Sequence, residues 1–110
     1  MSSVALKTYT APQGVRNNAR RGIELNEKVG NKCATQTGKV RAQQIANESM
    51  SLDTVKRMYS FLTRHAKNYD ANDSKACGTI SYLLWGGKAG LAWARNVLRE
   101  EGVILYENRT

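Results

Sequence analysis

The clearest periodic signal in the chain runs from Val55 to Tyr69, where Val55, Met58, Tyr59, Leu62, Ala66 and Tyr69 recur at spacings of three and four. That spacing puts one apolar stripe along a helix and turns it toward a core. Lys56, Arg57, Ser60, Arg64 and Lys67 fall on the complementary face, so the predicted helix is basic outside and apolar inside. Ser51 stands where an N-cap belongs. Asp53 follows in the first turn, where the helix dipole favours negative charge.

Upstream, Thr10-Ala11-Pro12 reads as a helix start, because a proline in the first turn lacks only an N–H that would be unpaired anyway. Val15, Ala19, Ile23 and Leu25 continue as a helical stripe that ends near Gly30. Asn31 to Gly38 is polar and turn-like, and a short helix is predicted over Lys39 to Asn47 with Val40, Ile45 and Ala46 inward.

Downstream, Thr79 is the expected cap of a short helix over Ile80 to Trp85. Gly86-Gly87 closes it, since either glycine takes the left-handed conformation that helix ends favour. A last helix is predicted from Lys88 to Glu101, stopped by Gly102, with Leu91, Ala94, Val97 and Leu98 inward and Trp93 on the edge of the stripe. Ala76 to Gly102 is thus read as a packed helical hairpin in which Trp85, Gly86, Gly87 and Trp93 are structural. Val103 to Tyr106 is an apolar tail with room for one extended contact.

The expectation is therefore an all-α, compact single-domain bundle of about four to five helices, with a Gly-Gly turn between the last two. Its core covers about residues 10–102, with extended tails at 1–9 and 103–110. A length of 110 residues supports one core, and 41% hydrophobic with 24% charged residues is the balance of a globular chain. A single proline and scattered β-branched residues favour helix over sheet. No signal-peptide pattern opens the sequence and no apolar run is long enough to cross a bilayer, so the expected setting is soluble and intracellular, without membrane contact.

Charge adds a direction to this picture. The net charge is +8, and residues 1–67 hold 12 Lys or Arg against the four acids Glu24, Glu27, Glu48 and Asp53, whereas residues 68–110 hold five of each sign. A one-sided positive field concentrates polyanions. Arg16, Arg20 and Arg21 lie within little more than one helical turn and form a candidate anion-binding face. With Lys39, Arg41, Lys56, Arg57, Arg64 and Lys67 they make up the candidate nucleic-acid-binding set.

Catalytic and metal chemistry find no support. Gly86-Gly87-Lys88-Ala89 lacks both the earlier glycine and the Ser or Thr of a phosphate-binding loop. Asp70, Asn72 and Ser74 imitate the opening of a calcium loop, but Lys75 replaces its glycine and Ser81 its glutamate. His65 is the sole histidine and reads as a packing residue, with no nucleophile or orienting acid placed beside it. Cys33 and Cys77 stand 44 positions apart without a CxxC pair; a bridge between them is open, and the expectation is two small buried thiols. No enzyme activity, cofactor or metal is expected.

Ala42 to Leu62 overlays a helix-turn-helix loosely, with Lys56, Arg57 and Arg64 on its second helix, but the alanine and glycine expected at fixed offsets do not align. Trp85 and Trp93 are more readily core residues than base-stacking platforms, because they sit in the electrically neutral third.

The ordered motifs Pro12…Val15-Arg16-Asn17-Asn18-Ala19-Arg20-Arg21-Gly22-Ile23-Glu24-Leu25, Val40-Arg41-Ala42…Ile45-Ala46, Ser51…Thr54-Val55-Lys56-Arg57-Met58…Phe61…Arg64-His65 and Leu84-Trp85-Gly86-Gly87…Gly90…Trp93-Ala94 resemble a small helical domain of tailed-bacteriophage proteins. That domain occurs alone or attached to head-associated proteins such as prohead-protease-like chains, and this version is most similar to those of crAss-like phages. The resemblance covers about Tyr9 to Glu101. It implies phage origin and, more weakly, a place in the virion; it carries no known site residues.

Three functions follow as expectations. The first is a non-enzymatic basic phage protein that binds nucleic acid mainly through phosphates. The second is a structural module of capsid, portal or tail whose basic face meets virion proteins and whose Trp85 to Val97 surface docks on them. The third is an inhibitor of a host nucleic-acid enzyme.

Overall fold

The computed structural model describes residues 7–103. Among them are five α-helices, α1 (Gln13–Lys28), α2 (Gln36–Asn47), α3 (Leu52–Arg64), α4 (Cys77–Leu84) and α5 (Gly87–Glu100), with a 3₁₀ turn at Ala66–Asn68. The chain is all-α. Ile104 to Tyr106, expected as an apolar tail, lie outside the described residues.

α1 starts behind Pro12 in the cap position and ends in a left-handed pair, Gly30 (φ 76°) and Asn31 (φ 60°). Gly30 N–H returns to Glu27 O and Asn31 N–H to Asn26 O, which satisfies carbonyls the helix end would leave open. α5 closes in the same way at Gly102 (φ 76°), with Val103 N–H donating to Leu98 O.

α2 begins three residues before the predicted start, because Thr35 Oγ1 accepts the Gly38 N–H at 3.1 Å and caps it. Its inward face is Gly38, Ala42, Ile45 and Ala46; Val40, expected inside, is 47% exposed. Small residues four apart let α2 lie close to its neighbours, and that face outweighs one isolated valine.

Ser51 caps α3 as expected, accepting the Thr54 N–H at 3.2 Å. The helix stops at Arg64, so the apolar spacing that continues in sequence to Tyr69 no longer describes one face. Ala66 is exposed on the 3₁₀ turn and Tyr69 only half-buried.

Thr79 is not a cap: it lies inside α4, buried, and Ala76 holds the cap position. The Thr79 hydroxyl instead accepts the Asp70 N–H at 3.0 Å and donates to the Asp70 carbonyl at 3.1 Å, tying the preceding loop to the core. Gly86 (φ 112°) and Gly87 (φ 66°) make the expected turn, with Asn18 Nδ2 donating to Gly86 O.

The core gathers Val15, Ala19, Ile45, Met58, Leu62, Ile80, Leu84 and Leu98. α1 packs against α2, α4 and α5, and α3 against α5. α4 and α5 touch each other little beyond their turn, so the last third is not a self-packed hairpin; α4 is held mainly by α1 and α5 mainly by α3.

Gly22, the residue before the stripe residue Ile23, is where α1 meets α4. A Cβ there would stand 2.7 Å from the Leu84 backbone nitrogen and 3.0 Å from Leu84 Cα, and backbone cannot swing aside as a side chain can. Gly22→Ala is expected to destabilise the fold by about 1–3 kcal/mol despite its better helix propensity, measured as a lower denaturation midpoint.

Residues 7–12, ahead of α1, are extended but not loose. Tyr9 and Met50 exchange both backbone hydrogen bonds at 2.8 Å, which ties this stretch to the α2–α3 junction. Tyr9 Oη and Lys7 Nζ each donate to Glu101 Oε2 at 2.7 Å. The hydrogen bond from Lys7, then that from Tyr9, hold the Glu101 carboxyl below its usual range. A depressed carboxylate stabilises the fold above its unfolded-state value, and that contribution disappears as pH falls through the folded one. Glu101→Gln is therefore expected to lower the melting temperature near pH 7, with the difference from the parent shrinking as pH falls below the ordinary carboxylate range.

Cys33 and Cys77 are not the free thiols expected. They form a disulfide, with Cα atoms 4.8 Å apart, because α4 packs across α1 and α2 and brings its first residue to the α1–α2 loop. That loop is already organised: buried Asn26 accepts the Cys33 N–H at 3.0 Å, and Ser81 Oγ donates to Cys33 O at 3.2 Å.

Candidate functional site: an arginine groove on an aromatic floor

Four residues on one face of α3, Arg57, Ser60, Phe61 and Arg64, follow the i, i+3, i+4, i+7 spacing that aligns side chains along a helix. Opposite them, Thr37 and Arg41 project from the first half of α2. Between the two helices lies Trp85, the residue that ends α4. Together these residues line a groove of about 380 Å³ that contains three guanidinium groups, two hydroxyls and no carboxylate.

Its floor is a stack of rings. Phe61 lies on Trp85 with centroids 4.5 Å apart and planes 14° from parallel, and His65 packs on Phe61 at 4.4 Å. The Arg41 guanidinium stands over the Trp85 ring at 5.4 Å, in cation–π contact, and its Nη1 donates to Gln44 Oε1 at 2.6 Å. Arg41 Nε is buried with no hydrogen-bond partner among the described residues.

Burial, and after it the charge of Arg57, push the Arg41 guanidinium below its usual range. Arginine nevertheless stays charged. The shift thus reports cations held close together in a partly dry place without a counter-charge. Arg57 and Arg64 are exposed and meet no acid among the described residues. An anion entering the groove would relieve the repulsion between Arg41 and Arg57 and satisfy several N–H donors at once.

The remaining candidates divide. Lys56 on α3 and Lys67 on the 3₁₀ turn are exposed and flank the groove's α3 wall in sequence, extending the positive charge. Arg16 and Arg20 belong elsewhere: Arg16 Nε donates to Ala46 O at 3.0 Å and Arg20 Nη2 to the same oxygen at 2.9 Å. Both satisfy an end carbonyl of α2, where the dipole favours cations. Ala46 lies nine residues beyond Thr37, about 14 Å along the helix, so this pair sits at the far end of α2 from the groove. Arg21 is exposed on α1, and Lys39 lines a separate small cavity facing Glu27.

Two tryptophan assignments change in meaning. Trp85 is buried, 8% exposed, as its structural role requires, and Trp93 packs half-buried against the core. Yet Trp85 is not remote from basic residues: its own segment is electrically neutral, but α2 and α3 bring Arg41, Arg57 and Arg64 around it. With so little surface free, Trp85 offers no broad docking face. The helix-turn-helix overlay fails on packing, since α2 and α3 scarcely touch and are instead held by α1, α4 and α5.

Thr37, Ser60 and Phe61 were not among the site residues expected from sequence, although Ser60 was placed on the polar face of its helix. A lone phenylalanine between Arg57 and Arg64 on an otherwise polar face was the available signal, because such a ring needs a partner from another element. Searches with the chain found no matching family model, curated protein or solved structure.

Proposed function

We propose that this chain is a basic, non-enzymatic phage protein that binds nucleic acid through its phosphates, with Arg41, Arg57 and Arg64 as the centre of the contact. One observation carries the reading: three guanidinium groups and two hydroxyls from two helices converge on one open groove that holds no acid. Guanidinium forks match the oxygens of a phosphate, and Lys56 and Lys67 lengthen the contact along α3. Trp85 is covered by Phe61 and Arg41, so the groove presents cations and not an open ring face. Recognition there is expected to be nearly blind to sequence.

Phage origin rests on the resemblance of the ordered motifs between Tyr9 and Glu101. The disulfide supports association with the virion over a life confined to host cytoplasm, because such bridges persist in oxidising surroundings.

Titration of a labelled oligonucleotide between 50 and 200 mM salt tests the reading. Five cations releasing counterions predict an affinity loss of about 10²-fold over that range. A flat salt response would exclude phosphate binding, and nuclease-resistant co-purification with an acidic virion protein would place the groove on a protein partner instead.

A further inference from the structure

The groove has a neighbour. A second cavity, of about 240 Å³, shares Phe61 with it and is otherwise lined by His65, Asn68, Cys77, Gly78 and Ser81. It contains no charged side chain of either fixed sign. Its walls are a phenyl ring, an imidazole, a disulfide sulfur and a glycine, with the Asn68 amide and Ser81 hydroxyl among them.

The polar groups are partly committed. Asn68 Nδ2 and His65 Nδ1 are 3.2 Å apart and hold each other, and Ser81 Oγ already donates to Cys33 O. Among the described residues His65 Nε2 and Asn68 Oδ1 make no further hydrogen bond, which leaves them for an occupant. An apolar cavity with a few fixed polar atoms suits a small planar heterocycle better than an ion or an aliphatic chain. The ring column that floors the groove ends on His65, one of this cavity's walls.

Resting on the phosphate-binding reading, we infer that groove and cavity form one site for single-stranded nucleic acid, with backbone phosphate among Arg41, Arg57 and Arg64 and one unpaired base against Phe61 and His65. Because Phe61 lines both, a strand whose phosphates lie in the groove brings a base to the mouth of the cavity. A base held in a duplex is stacked and paired on its neighbours and cannot turn into it without leaving the helix. The arginines supply affinity for any phosphate backbone, and the cavity supplies the preference for unpaired strands.

Fluorescence anisotropy at about 100 mM salt would compare three labelled probes: oligo(dT), its duplex with oligo(dA), and an abasic strand of equal length. Oligo(dT) is expected to bind about 10-fold more tightly than either of the others, the effect of one stacked base. His65→Ala, at a half-buried position, and Phe61→Leu, checked for folding by thermal melt, are each expected to erase that margin, with oligo(dT) affinity falling to that of the abasic strand on the same protein. Equal binding of all three probes with a steep salt slope would overturn the single-strand inference and leave phosphate binding standing. Binding of none of them would overturn both.

Discussion

Arg57→Ala/Arg64→Ala is expected to weaken binding of a single-stranded oligonucleotide roughly 50- to 100-fold at 50 mM salt and to flatten the slope of log K against log salt by about 1.4. The figure follows from two lost phosphate contacts at about 0.7 each on a single strand, with the loss shrinking toward 1 M salt. Both side chains are exposed and neither is used by the fold, so the melting temperature is expected to hold. Arg16→Ala/Arg20→Ala is the informative contrast. Those arginines close the end of α2, and their removal is expected to lower stability with little change in the salt slope. If that pair flattened the slope and the α3 pair did not, the site would lie on α1.

Removing the disulfide is expected to have the largest effect on stability. Cys33→Ser/Cys77→Ser opens a covalent loop whose ends are 44 positions apart. The chain-entropy account assigns such a loop about 4 kcal/mol, through the freedom it denies the unfolded chain. Urea unfolding of the oxidised protein and the double variant would read this as a lower midpoint. The variant is expected to remain folded, because Asn26 and Ser81 hold the Cys33 backbone without the bridge. Labelling of two free thiols in the native, unreduced protein would show that the bridge does not form in solution.

Helix existence was readable because local rules decide it. Ser51, Gly30, Gly86 and Gly102 act on their own neighbours, and the spacings of Val55, Met58 and Leu62 hold whatever surrounds them. The errors fell where a distant element decides the outcome. Thr79 resembles a cap until Asp70 claims its hydroxyl, and Val40 resembles core until the Gly38–Ala42 face is pressed inward. Ala66 kept a helical period after the helix had ended.

The site was half legible for the same reason. The positive charge of Arg57 and Arg64 on one helix face is a local property. Their meeting with Arg41 over Trp85 depends on α4 ending between α2 and α3, which no spacing announces. Arg16 and Arg20 were equally basic in sequence, but a carbonyl 26 to 30 residues away determined their use. The disulfide was hidden likewise, since a separation of 44 says nothing about where two cysteines end.

The Cys33–Cys77 bridge also makes a closed ring of the polypeptide, and that ring encloses α2 and α3 entire. Every cation assigned to the groove and its flanks, from Arg41 to Lys67, is carried by this ring. A protease that cuts once in the exposed stretch around Asp73 and Lys75 would therefore open the ring without releasing a fragment. Nicked protein would run as one species until reductant is added and then as two.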